Sequence, residues 1–373
     1  IIMYKQYLDN EQMNFQVNRF IEPFYSNKSV QEDVMTICQS IIDLESWYDG
    51  WNKLANLQYE IKNFELASAY YQLAEFFLEE SDPRKTKAYK LFKESFYKSI
   101  PSNLIKYCEV PYEGFYLPVA TINHNSADKW LVFHGGFDSY LEELIRLSIT
   151  HLSDLDNYNI LMFEGPGQGM PNINGLSMSS EWEKPVSAIL DFFGLTNVSL
   201  MGMSLGGYLA LRAAAKEKRV KKVVAFDTFY SMEDAFLINT PKDLTKIPDL
   251  SDLNVRKSVD NLLEEYTKKN IDLKFKINKA KEIFGKNSPS EVLLEMKKYT
   301  LSGIESEIVQ DVFLLAGDND MYVPTERTAF LRDKLVNAST VESFIFDEKS
   351  GGQHHCQVGN KSLAFNKIVK FLN

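Results

Sequence analysis

Apolar positions give this chain two textures. As far as about residue 104 they recur at alternating spacings of three and four. Phe64, Ala67, Tyr71, Ala74 and Leu78 form such a seam, the mark of an amphipathic helix. Ser81-Asp82-Pro83 then supplies a cap and a first-turn proline, Ala88, Leu91, Phe92 and Phe96 line the next helix, and Pro101 ends it. No second copy follows at a fixed period, so residues 1–104 are expected to form a helical domain rather than a solenoid.

From residue 105 the apolar residues gather into short, nearly unbroken runs. Residues 107–111 and 116–122 flank Glu113-Gly114, a hairpin turn; further runs lie at 130–133, 159–163, 198–201, 222–226, 312–316 and 343–346. Helical stretches such as 141–152 and 182–193 alternate with them. That rhythm predicts an α/β domain over 105–373, with a mainly parallel sheet covered by helices on both faces. It breaks after Asp227. The segment 229–305 is helical in pattern, including 255–266 and a capped start at Ser288-Pro289-Ser290-Glu291. Lying between two strands of the sheet, it reads as a helical lid.

Size and charge narrow the function. With 373 residues, 45% of them hydrophobic and 13% aromatic, the chain can bury one large core and an accessory one. A net charge of −10 argues against nucleic acid or an anionic membrane as the main partner. Lys268-Lys269 and Lys297-Lys298 are read as a solvated face. Three scattered cysteines (Cys38, Cys108, Cys356) do not make a disulfide framework. No apolar run reaches membrane-spanning length and nothing near the N-terminus reads as a signal peptide, so a cytoplasmic location is expected.

The chemistry gathers at Gly202-Met203-Ser204-Leu205-Gly206, between a strand-like run and a helix-like run starting at Gly207. A serine on such a sharp turn is a nucleophile elbow, and small neighbours two residues either side let the helix pass close to the strand. A serine hydroxyl needs a base, and the base an orienting carboxylate. Gly317-Asp318-Asn319-Asp320 and Gln353-His354-His355-Cys356 follow later strands in the order nucleophile, acid, histidine. His124 and His151 lie far from that edge, and His134 more naturally braces its loop, which leaves His354 and His355 without a choice between them. Asp320, nearer Val323-Pro324, is favoured over Asp318. Leu205, the residue after the nucleophile, and Gly136 or Phe137 in His134-Gly135-Gly136-Phe137 are the expected oxyanion donors. No C-x-x-C or H-E-x-x-H is present, so no metal is expected. Gly165-Pro166-Gly167-Gln168-Gly169 invites a dinucleotide reading, but Met170 stands where the third glycine belongs; no cofactor is expected. Glu164, just before that loop, has no assigned role.

These segments together resemble the α/β-hydrolase superfamily, and more narrowly the branch of 2,6-dihydroxypseudooxynicotine hydrolase and the fermentation-respiration switch proteins. The resemblance rests on Phe133-His134-Gly135-Gly136-Phe137-Asp138-Ser139, the segments 163–169, 202–208 and 317–324, and His355-Cys356-Gln357-Val358-Gly359-Asn360; it reaches the N-terminal part through 67–77 and Asp82-Pro83-Arg84. It implies an α/β-hydrolase fold with a helical N-terminal domain and lid, commonly dimeric, hydrolysing a small-molecule substrate without metal or organic cofactor. In that branch the catalytic histidine directly precedes the cysteine, which implies His355, and the same matching implies Asp320. The expectation is a serine hydrolase of Ser204, His355 and Asp320 acting on an ester, thioester, amide or activated carbon–carbon bond. A non-catalytic binding protein on the same scaffold and an acyltransferase are the alternatives.

Overall fold

The computed structural model describes residues 4–238 and 246–373; the part of the expected lid at 239–245 lies outside the described residues. The chain divides into two compact units, Ile1–Leu104 with Val358–Asn360, and Ile105–Gln357 with Lys361–Asn373.

The first unit carries the helices Glu11–Ile21, Lys28–Gln39, Leu44–Glu60, Phe64–Phe76 and Pro83–Ser99. Phe64–Phe76 packs between Leu44–Glu60 and Pro83–Ser99, and every residue from Leu66 to Phe76 is buried. It is therefore covered all round, where the seam in the sequence pointed to one buried face. Glu75, buried on that helix, forms an enclosed ion pair with Lys85. Trp47 Nε1 donates to the Leu73 carbonyl at 2.7 Å, tying the helix to its neighbour. At Pro83–Ser99 the Asp82 side chain accepts from Arg84 N at 2.9 Å, so the cap and first-turn proline act as the sequence indicates.

The second unit is built on eight strands: β1 (Lys106–Tyr112), β2 (Phe115–Ile122), β3 (Lys129–His134), β4 (Tyr158–Phe163), β5 (Val198–Met203), β6 (Val220–Phe226), β7 (Asp311–Gly317) and β8 (Thr340–Phe346). Their spatial order is β1-β2-β4-β3-β5-β6-β7-β8. β2 pairs antiparallel with β1 and β4; from β4 through β8 the pairing is parallel. Every residue of β4 and β5 is buried, which explains their unbroken apolar sequence: both faces are covered, so no position alternates to solvent. This is an α/β-hydrolase fold.

Parallel register brings the chemistry to one edge. His134 lies opposite Gly202, Met203 opposite Phe226, and Gly317 opposite Phe346. The loops that leave these strands therefore emerge side by side. Between β6 and β7 come the helices Met232–Leu237, Leu253–Thr267, Ile271–Phe284 and Pro289–Met296, the last with a Ser288–Glu291 capping box. The ends of this insertion are tied together. Ser231 bridges Thr300, Met232 N donates to Tyr299 O at 2.9 Å, and Leu301 N donates to Tyr230 O at 3.0 Å.

Candidate active site

Ser204 sits where β5 ends and the helix Gly206–Lys216 begins, with φ +62°. A left-handed conformation at a non-glycine residue costs about 1–3 kcal/mol, and the surrounding packing enforces it. A Cβ on Gly202 would fall 1.8 Å from Gly206 O, and one on Gly207 would fall 1.9 Å from Asp227 O. Backbone fills both places, so the turn closes only with glycine there. Gly136 is pressed against the same turn: its Cβ would lie 2.8 Å from Leu205 N.

Two further loops complete a hydrogen-bonded chain. Ser204 Oγ lies 2.6 Å from His355 Nε2, and His355 Nδ1 lies 2.8 Å from Asp320 Oδ2. The other Asp320 oxygen accepts from Tyr322 N at 2.7 Å and Val323 N at 3.0 Å, which fixes the carboxylate to its own turn. The Tyr322 ring stands edge-on to the imidazole, with centroids 4.9 Å apart. Burial alone would lower the His355 pKa, but the charge and hydrogen bond of Asp320, with Asp227 and Asp138 behind, raise it. Burial likewise opposes ionisation of Asp320, and the His355 charge and hydrogen bond outweigh it, leaving its pKa lowered.

The structure separates the residues that spacing left paired. Asp318 is exposed, its N–H bonded to Phe346 O, while the Asp320 side chain is fully buried against the imidazole. His354 is half-buried and, unlike His355, has a pKa lowered by burial. The remaining histidines are occupied elsewhere: His124 Nδ1 lies 2.6 Å from Tyr158 O, His151 stacks on Phe365, and His134 is enclosed beside Trp182, its pKa pushed down to about 4 by burial.

Ser204, Leu205 and Phe137 share a pocket with Asp138, Tyr322 and side chains of the insertion, among them Phe236, Phe275 and Met296. Its lining is overwhelmingly apolar. Lys276 reaches it too, but its ammonium is already held by Asp272 at 2.8 Å and Ala235 O at 3.0 Å. The loop after β4 shapes the neighbouring wall. Where Cβ atoms would stand on Gly165, Gly167 and Gly169 lie Trp182, Met178 and the Glu164 carboxylate, so these glycines make room for side chains of this chain. Glu164 accepts from Leu141 N at 3.0 Å and Met170 N at 3.2 Å, and Gln168 Nε2 donates to Gly136 O at 3.0 Å. Together they brace the β3 and β4 loops.

One residue of the site gave no signal in the sequence beyond following an apolar run. Asp227, at the end of β6, is completely buried, and its Oδ2 lies 3.8 Å from His355 Nδ1. It accepts from Cys356 N at 3.0 Å and from Gln357 Nε2 at 2.8 Å. Donor atoms of Asp227, His355 and Cys356 lie within 4.8 Å of one another, the one such cluster among the described residues. Each is committed: His355 to Asp320, Asp227 to the backbone, and Cys356 Sγ to Phe226 O at 3.4 Å.

No family model matches the chain. Hydrolase ORFZ of Pyricularia oryzae is 28% identical over 318 residues, covering 78% of this chain and 74% of that protein. Hydrolyase ccsE of Aspergillus clavatus is 31% identical over 266 residues, covering 65% of this chain but 60% of that protein's length. Among solved structures, 2,6-dihydroxy-pseudo-oxynicotine hydrolase superposes with a TM-score of 0.70 at 20% identity, over 95% of this chain and 94% of that one. Among the described residues no helix is long and apolar enough to cross a membrane. With the sheet order and the serine turn, these likenesses give the chain an α/β-hydrolase fold, similar in sequence to proteins named hydrolases.

Proposed function

We propose that this protein is a serine hydrolase acting on a small, largely apolar acyl substrate. The observation that carries the reading is the unbroken chain Ser204 Oγ–His355 Nε2 and His355 Nδ1–Asp320 Oδ2, at 2.6 and 2.8 Å, opening into an apolar cavity. His355 takes the proton of Ser204 as the oxygen attacks the substrate carbonyl. Asp320 holds the Nδ1–H tautomer and stabilises the imidazolium. The backbone N–H groups of Leu205 and Phe137 receive the negative charge of the tetrahedral intermediate; Gly136 is the less favoured donor, since it backs the turn while the other two line the cavity. The leaving group departs with the proton from His355, and water, activated by the same imidazole, releases the acid. The helical insertion serves as a lid whose phenylalanines and methionines exclude solvent from the acyl group.

A fluorophosphonate probe tests this directly. It should label the native protein at Ser204, and Ser204→Ala should abolish labelling and lower turnover of an activated ester by about 10⁶-fold. Equal labelling of both proteins would overturn the assignment.

A further inference from the structure

Two carboxyl groups, not one, stand behind the imidazole. Asp227 leaves β6 and Asp320 leaves β7, both side chains are sealed from solvent, and each reaches the other as well as His355. A second buried anion here costs several kcal/mol unless a cation repays it. The groups that act on Asp227 are Cys356, Asp320 and His355, with Asp138 facing the imidazole from the β3 loop. None is a permanent cation, and the imidazole is neutral in the resting base. Two carboxyls in contact with one intermittent positive charge settle as one anion and one acid.

The hydrogen bonds decide which is which. Asp320 accepts from Tyr322 N, Val323 N and His355 Nδ1, an acceptor-only set that suits a carboxylate. With one more donor its lone pairs are filled. Asp227 accepts from Cys356 N and Gln357 Nε2, which leaves it room to carry a proton.

Resting on the serine-hydrolase reading, we propose that Asp227 is a neutral carboxylic acid that donates a hydrogen bond to Asp320 while its oxygens hold the Cys356-Gln357 turn, making it the positioning residue of the His355 loop. Both turn residues have positive φ, 50° and 52°, and neither is glycine. A strained turn of that kind persists where fixed partners over-determine it, and Asp227 supplies two. The direction of titration agrees: burial, then the charges of Cys356 and Asp320, push the Asp227 pKa well above the ordinary aspartate range.

The test uses the full chain with three substitutions and two readouts. Asp227→Ala removes both roles and should slow fluorophosphonate labelling of Ser204 by at least about tenfold, a bound set by a typical lost buried hydrogen-bond pair. Asp227→Asn keeps an acceptor and supplies an N–H donor, so it should recover most of that loss and leave the acid limb of the labelling–pH profile in place. If Asp227 were an anion, Asp227→Asn would instead move that limb down by about one unit and lose as much as Asp320→Asn; either result overturns the proposal. Infrared difference spectra should also show a protonated-carboxyl stretch at neutral pH that disappears in Asp227→Asn. Its absence from the native protein refutes the neutral acid even if Ser204 is labelled normally. A native protein that shows the stretch but never labels sinks the hydrolase reading while leaving the Asp227–Asp320 pair intact.

Discussion

The ends of β6 and β7 present the same residue type to the same imidazole, yet their surroundings differ. Asp320 is followed by a turn that points two backbone N–H groups at one of its oxygens, leaving the other for His355. Asp227 instead reaches across to the turn after His355 and grips Cys356 and Gln357. One carboxyl orients the ring; the other anchors the loop that bears the ring. Chemical identity and strand position are therefore poor guides to role, and the donors around each carboxyl are the better guide.

The strongest way to break this contrast is Asp320→Asn. It keeps an oxygen for the turn but offers His355 the wrong partner, so kcat on an activated ester should fall by about 10⁴-fold with little change in melting temperature. If activity stays within tenfold of the native protein, Asp320 is not the orienting acid. Next in size is Gly207→Ala, whose new Cβ would collide with the carbonyl of Asp227. It should lower stability by about 2–3 kcal/mol in urea unfolding, because the helix and the β6 end must part. A smaller effect concerns pH. The base works when neutral and its pKa is raised, so kcat/KM should fall on acidification with a midpoint above the ordinary histidine value of about 6.5. Removing the Asp320 charge should carry that midpoint downward. The least effect belongs to His354→Gln, which leaves the hydrogen-bonded chain untouched and should change kcat by less than about threefold, in keeping with a change of about 0.5 kcal/mol or less.

Much of this was legible before any coordinates, and the reasons are physical. The sheet announced itself because strands buried on both faces must be apolar throughout, as β4 and β5 are. Ser204 stood out because its strained turn excludes side chains at Gly202 and Gly206, and exclusion leaves a mark in sequence. Asp320 and His355 needed more. Spacing narrowed each to a pair of neighbours, and for His355 a family resemblance made the choice. Asp227 was missed since a lone aspartate after an apolar run looks like any strand-ending polar residue; its partners lie about 130 positions away in the chain, as the separation of 129 to Cys356 shows. In the N-terminal unit the seam of Phe64, Ala67, Tyr71 and Ala74 pointed to one buried face, yet Gln72 and Glu75 are buried too, and the partner that neutralises Glu75 sits on the following helix.

The clasp formed by Tyr230, Ser231, Thr300 and Leu301 has a consequence for how such a protein can diversify. Where two strands of backbone are stapled at the neck of an excursion, whatever lies beyond the staple can be lengthened, shortened or exchanged while the strand ends on either side keep their places. New ligand shapes can then be accommodated by grafting different helices above the neck, and the side chains below it inherit their geometry unchanged.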